Sequence, residues 1–381
     1  MKVCWFGFLG KNHSWSIVAQ NLSREFIRMG HQVDLFSTNG TDHFPEDLKP
    51  YLKGSTTEDE GITQENFFEK VGSKLDAQYD MQMSYTALRN FCNYFRRGEK
   101  NRFGIWNYET TKLPTAFSRF AKCVDLVLPS SEFSKKIFTD NGMPVNSQVV
   151  VPHGIYLDRF ANLGKYPLKT TKKYKILANI AQPHLRKNIP GLLRAFGKAF
   201  TKKDDVCLVL KVSRKSPQAG LMSFDVPFND IYARWQKEFP QHAEVELIDK
   251  FIVDIETLYN ACDVVYTMAH AECFWMPGLE GFAANKIVVA PRYGGQLDYM
   301  NDENSILIDG KTMRADMRMQ YWEPSPYAEV FNPDQDQAAA KLKDLIANYD
   351  DYHKKFSPKM QETAHQFTWE NAAKQIIGLC K

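Results

Sequence analysis

Two glutamates, Glu272 and Glu280, stand with seven residues between them in Ala271-Glu272-Cys273-Phe274-Trp275-Met276-Pro277-Gly278-Leu279-Glu280. An apolar run, 263–268, precedes them, and a second, 287–291, follows and closes on Gly294-Gly295. Strand, loop, short helix, strand and glycine turn are the rhythm of a parallel α/β sheet, whose ligands gather at the carboxyl ends of its strands. Pro277 suits the first turn of a helix, because its missing N–H would have no partner there. Glu280 is then expected in or near that first turn, with Glu272 on the loop just ahead of it. Two carboxylates would thus bracket a helix N-terminus, whose free N–H groups attract anions. The bland alternative makes Glu272 a solvated loop residue and Glu280 a complement to the helix dipole.

The Glu-x7-Glu spacing, with Phe274, Pro277 and Leu279 inside it and Gly294-Gly295 after it, resembles the signature of glycosyltransferase family 4. The resemblance implies the α/β GT-B fold: two Rossmann-like domains facing across a cleft, with a C-terminal helix crossing back to the first domain. It implies retaining transfer of a sugar from a UDP- or GDP-sugar to a hydroxyl of a glycan, lipid or modified nucleobase. No metal and no separate cofactor are expected. By the same resemblance Glu280 holds the ribose, while Glu272 contacts the donor sugar and stabilises positive charge at its anomeric carbon. The backbone N–H groups of Phe274, Trp275 and Met276 complete the anion site.

The loop Gln182-Pro183-His184-Leu185-Arg186-Lys187-Asn188 opens an apolar helix over 189–200. Its Arg-Lys-Asn resembles the family's phosphate clamp. Two cations at a helix N-terminus hold a diphosphate well and offset charge on a departing nucleotide. Many members carry an arginine at the end of the preceding strand, where this chain has Ala181 and Gln182, so Arg186 and Lys187 are the candidate pair. A solvated basic pair is the alternative. The segment 244–248 reads as a strand, and the resemblance places the nucleoside pocket just after it, at Asp249, Lys250 and Phe251.

The amino-terminal half carries further candidates. Trp106-Asn107-Tyr108-Glu109-Thr110 resembles a Trp-x-x-Glu-Thr segment of some family members. Trp106 could offer a flat face to a sugar and Glu109 could orient an acceptor hydroxyl, or Trp106 could be core and Glu109 a helix-terminal charge. The first loop, with Gly10, Lys11 and His13, is a candidate acceptor and diphosphate contact by resemblance, and His13 could equally cap the following helix. A Gly-x-Gly-x-x-Gly fingerprint is absent, which argues against a nicotinamide enzyme. A basic run, Arg96, Arg97 and Arg102, would suit a transferase acting on modified DNA bases if it formed a groove. A non-catalytic nucleotide-sugar binder is a third rival.

These residues need a scaffold, and 381 residues suffice for two domains with their own cores. The reading divides the chain at a basic, Gly- and Pro-bearing linker into 1–165, joined by 366–381, and 166–365. Apolar content of 44% and charged content of 24% are those of a globular protein, and a net charge of +3 gives no electrostatic case for nucleic acid or membrane. No run suits a membrane span, and Met1-Lys2-Val3-Cys4-Trp5 reads as a strand, not a signal peptide. Seven scattered cysteines without Cys-x-x-Cys argue against a disulfide framework or zinc site and for a cytoplasmic location. Helices are expected over 17–29, 78–97 and 338–349, a strand over 149–155, and irregular chain over 41–72, 213–230 and 311–333. Asp334-Gln335-Asp336 has a metal-binding form, but its place before a helix favours capping.

Overall fold

Short apolar strands alternating with amphipathic helices build two sheets of the same design. The structure is a computed structural model and describes residues 1–10, 13–56, 66, 78–86, 95, 100–114, 117–213, 227–320 and 325–381. The chain divides into two units, one of Met1–Tyr108, Leu113–Gly154 and Thr368–Lys381, the other of Glu109–Lys112 and Ile155–Phe367.

In the first unit six parallel strands lie in the order β3-β2-β1-β4-β5-β6. They are β1 (Lys2–Gly7), β2 (Gln32–Ser37), β3 (Leu52–Ser55), β4 (Met81–Tyr85), β5 (Arg102–Ile105) and β6 (Leu126–Leu128). After Lys2 every residue of β1 is buried, as a strand covered on both faces requires. The helix Ser14–Arg28 is capped by His13, whose side chain accepts from Trp15 N. The last helix, Trp369–Gly378, is capped by Thr368 and packs on Ser14–Arg28 within this unit.

The second unit repeats the order as β12-β11-β10-β7-β8-β9, again with all pairs parallel. Its strands are β7 (Tyr174–Ala181), β8 (Val206–Val212), β9 (Glu244–Ile248), β10 (Val264–Tyr266), β11 (Ile287–Pro291) and β12 (Ile306–Ile308). Val206–Leu210 and Ile287–Pro291 are wholly buried, and the helix Ile189–Ala199 lays Leu192, Leu193 and Phe196 into the same core. In both units the first strand is flanked by the second and the fourth, the doubly wound order in which connections diverge at a switch point.

Several expectations are corrected. Residues 81–85, read as helix, form β4, because five buried residues in a row suit a covered strand as well as a helix; 87–94 and 96–99 lie outside the described residues. Residues 149–155 run extended beside β6 but form no regular strand: Val127 bridges Gln148 just ahead of them, and Val149 N and Val151 N donate to Val127 O at 3.1 Å and Pro129 O at 2.9 Å. The supposed loop 311–333 contains an antiparallel hairpin, β13 (Gly310–Arg314) with β14 (Glu329–Pro333). Residues 41–72 hold a 3₁₀ turn, Glu46–Tyr51, and β3. The long helix Tyr349–Gln366 was not anticipated. Cys123 is disulfide-bonded, where the cysteine pattern argued against a disulfide framework, while Cys4, Cys207, Cys262, Cys273 and Cys380 are thiols. Among the described residues no helix is long and apolar enough to cross a membrane.

Candidate functional site

The loops after β7 and β10 leave the second sheet on either side of its switch point. The loop after β7 begins with Ala181 at a φ of 60° and passes through a 3₁₀ turn, Leu185–Lys187. Asn188 then caps the helix Ile189–Ala199 from a left-handed conformation, accepting from Gly191 N at 3.1 Å. Its Nδ2 donates to Met268 O at 2.9 Å, tying this loop to the one after β10. Asn followed by Pro190 inside a helix is a start signal that could have identified this cap from sequence.

The tie brings four charged side chains together. Lys187 Nζ donates to Glu272 Oε1 at 2.6 Å. Arg186 places Nη1 3.1 Å from Glu272 Oε2 and Nη2 3.0 Å from Glu109 Oε1, and Nη1 also donates to Ala271 O. Arg186 and Glu272 are each 6% exposed. An ion in such a place loses hydration worth several kcal/mol, so it persists only if its partners are close and well oriented. Here two cations meet two carboxylates. Burial pushes the Glu272 carboxyl up, but Lys187 and Arg186 outweigh it and hold the group below its usual range. His184 Nδ1 accepts from Arg186 N at 3.3 Å. Burial, with the nearby charges of Arg186 and Lys187, lowers its pKa to about 3, so it is neutral at neutral pH.

Glu272 leads into the helix Met276–Ala283 through Trp275, at a φ of 57°. A bulky residue in this region costs on the order of 1–3 kcal/mol and persists only where its surroundings hold it. Tyr299 Oη donates to Trp275 O at 2.7 Å, and Phe274 packs against the Tyr299 ring with centroids 5.3 Å apart. Trp275 makes no side-chain cap, which suits an N-terminus meant for an external acceptor. The return turn is equally constrained. Gly295 N donates to Glu272 O at 2.8 Å, and a Cβ on Gly294, at a φ of 103°, would lie 2.7 Å from that oxygen.

Glu280 lies just past the first helical turn, which contains no acidic residue, and so near that turn, within the range expected of it. Its carboxylate accepts from Tyr259 Oη, which in turn accepts from Asn179 Nδ2 at 3.0 Å. Burial raises its pKa to about 7. Tyr259 and Asn179 come from other elements, and no local spacing announces them.

The remaining candidates separate. Trp275 and Phe274 are buried and Met276 half-buried, so their contribution to a ligand would come through backbone. Phe251 is 58% exposed after β9. Trp106 is core, stacked on Phe138 with centroids 4.8 Å apart and an interplanar angle of 8°. Gly10 is buried, its N donates to Asn39 Oδ1 at 2.9 Å, and a Cβ there would sit 2.0 Å from Gly40 O. That glycine is therefore required by backbone approach. Lys11, Arg96 and Arg97 lie outside the described residues, and Arg102 pairs with Asp125 at 2.9 Å. His13 serves as a cap, its pKa lowered to about 4 by burial. Asp334 caps its helix, accepting from Asp336 N and Gln337 N.

No protein-family profile matches the chain. No curated protein matches it in sequence. Solved structures do match its fold. HepE from Anabaena, in complex with UDP and glucose, superposes with a TM-score of 0.71 at 14% identity, covering 99% of this chain and 98% of that one. A sucrose-phosphate synthase from Thermosynechococcus elongatus gives 0.74 at 15%, covering 99% and 98%. A glycosyltransferase from Rickettsia africae gives 0.73 at 15%, covering 100% and 98%. With two parallel six-stranded sheets of doubly wound order, the chain has the GT-B fold of these glycosyltransferases.

Proposed function

We propose that this GT-B chain is a retaining glycosyltransferase of the family-4 type, moving a sugar from a UDP- or GDP-sugar to an acceptor hydroxyl. The observation that carries the reading is the Lys187–Glu272–Arg186 cluster, set ahead of an uncapped helix N-terminus at the switch point of the second sheet. That the similar HepE was solved with UDP and glucose supports the choice of donor.

In this reading the diphosphate lies against Lys187, Arg186 and the backbone N–H groups of Phe274, Trp275 and Met276. Lys187, the more exposed cation, meets the phosphates, while Arg186 holds Glu272 and Glu109 in place. Glu280 accepts from the ribose, and Phe251 lies beside the base. Glu272 stays ionised and stabilises positive charge at the anomeric carbon as its bond to the diphosphate oxygen breaks. The acceptor oxygen forms the new bond on the same face, and its proton passes to the departing phosphate oxygen. Glu109, Gly10 and Lys11 are assigned to the acceptor side. Positive side chains and helix amides offset the developing charge, so the reaction as proposed needs no metal. The acceptor is a glycan, lipid or modified nucleobase hydroxyl, and the location is cytoplasmic.

The test is thermal stability with UDP, GDP, ADP and NAD, each with and without EDTA. A ligand at 100 times its Kd stabilises by roughly 2.7 kcal/mol. We expect a rise with one nucleoside diphosphate, insensitive to EDTA and lost in Glu280→Ala. A rise with NAD alone, or with no nucleotide, overturns the reading.

A further inference from the structure

A third cation, beyond Arg186 and Lys187, stands near the proposed donor site and belongs to neither loop. Lys211 is the penultimate residue of β8, where it pairs in register with Asn179 of β7 on one side and Ile248 of β9 on the other. Residues paired across parallel strands point to the same face. Lys211 therefore shares a face with Asn179, the residue that starts the hydrogen-bonded chain through Tyr259 to Glu280. Its side chain is half-buried, and among the described residues it makes no hydrogen bond and no ion pair. Holding an ammonium in that position costs hydration, which only a nearby negative charge returns.

We propose that Lys211 is a positioning residue for Glu280, its ammonium keeping that carboxylate in the ionised form that accepts from a donor's vicinal hydroxyls. The charged and titratable groups facing Glu280 are few. Tyr259 and Tyr299 have their pKa values raised by burial and stay protonated. Glu256, the acidic neighbour, is held by Arg159 through Nη2 at 3.2 Å and through Nε. Among the described residues Lys211 is the one cation acting on Glu280, and the attraction is mutual: burial lowers its pKa and Glu280 opposes that fall. The site thus sets a carboxylate whose burial favours the protonated form beside a lysine whose charge favours the ionised one. The inference rests on the reading of Glu280 as a donor contact only for its use, not for its existence.

The experiment is a carbon-13 NMR titration of the glutamate side-chain carboxyls in the full chain, with Glu280→Gln used to assign the Glu280 signal. It is run on the wild type, Lys211→Met, Lys211→Gln and Lys211→Arg, with UDP and GDP binding followed over the same pH range. We expect the Glu280 midpoint to rise by about one unit in Lys211→Met and Lys211→Gln, a tenfold change in ionisation, and to return in Lys211→Arg. An unmoved midpoint in either neutral variant overturns the proposal, whatever nucleotides do. A shifted midpoint in a protein that binds neither UDP nor GDP leaves the proposal standing and counts against the transferase reading instead. If Lys211→Met fails to fold, Lys211→Gln and Lys211→Arg decide.

Discussion

Lys187 and Glu272 stand 85 residues apart in the chain, yet Lys187 Nζ lies 2.6 Å from Glu272 Oε1. One follows β7 and the other follows β10, so the contact bridges the switch point of the second sheet. Two cations, Arg186 and Lys187, and two carboxylates, Glu109 and Glu272, balance there.

Breaking this cluster from one side should cost more than dismantling the pair. Glu272→Gln leaves Arg186 buried against a neutral amide, and removing one partner of a buried pair costs about 3–5 kcal/mol. We expect the lower end, since the Lys187 side chain is 23% exposed and can turn to water. Adding Lys187→Met should restore part of the loss. Urea denaturation of the wild type, both single variants and the double variant checks this; strictly additive losses would refute the coupling.

Stability should respond to pH in two opposite ways. Glu280 has its pKa raised from 4.5 to about 7 by burial, so between those values the native state keeps a proton that the unfolded chain has lost. Its contribution is full below the unfolded value and is lost as pH rises through the folded one. The melting temperature of the wild type relative to Glu280→Gln should therefore be higher at about pH 5 than at about pH 8. His184 is lowered from 6.5 to about 3 by burial and by Arg186 and Lys187. Its contribution is full above 6.5 and is lost as pH falls, so His184→Gln should soften the loss of stability in acid. Scanning calorimetry across this range tests both signs.

Trp106 separates a sugar-binding role from a core role. Its ring is 1% exposed and stacked on Phe138, and deleting a buried Trp costs about 3–5 kcal/mol. Trp106→Ala should lower the free energy of unfolding, measured in urea, by that amount and leave the Kd for a nucleoside diphosphate unchanged in the folded fraction. A stable variant with weakened sugar transfer would contradict the core assignment.

Much of the scaffold was legible in local patterns. The segment 244–248 reads as a strand and is one, Glu244–Ile248, and the apolar run 287–291 is the strand Ile287–Pro291. Buried parallel strands are near-continuous apolar runs, which sequence displays directly. The hairpin β13–β14 was missed because Gly-Lys-Thr-Met-Arg alternates weakly and its partner lies beyond a long connection. Residues 81–85 were misread because a short buried run carries no period to separate strand from helix.

By itself, the sequence determined which residues could do chemistry: the Glu272 and Glu280 spacing, the Arg186-Lys187 pair before a helix, and the glycine turn at Gly294-Gly295. Only the tertiary structure decided what those residues touch. Glu109 reaches Arg186, Tyr259 reaches Glu280, and Lys211 shares a sheet face with Asn179. The reason is that type and spacing act along the chain over a turn or a strand, whereas ionisation and hydrogen bonding depend on groups brought close from distant segments. Burial, which raises Glu280 to about 7 and holds His184 neutral, exists only once the second unit has folded around them.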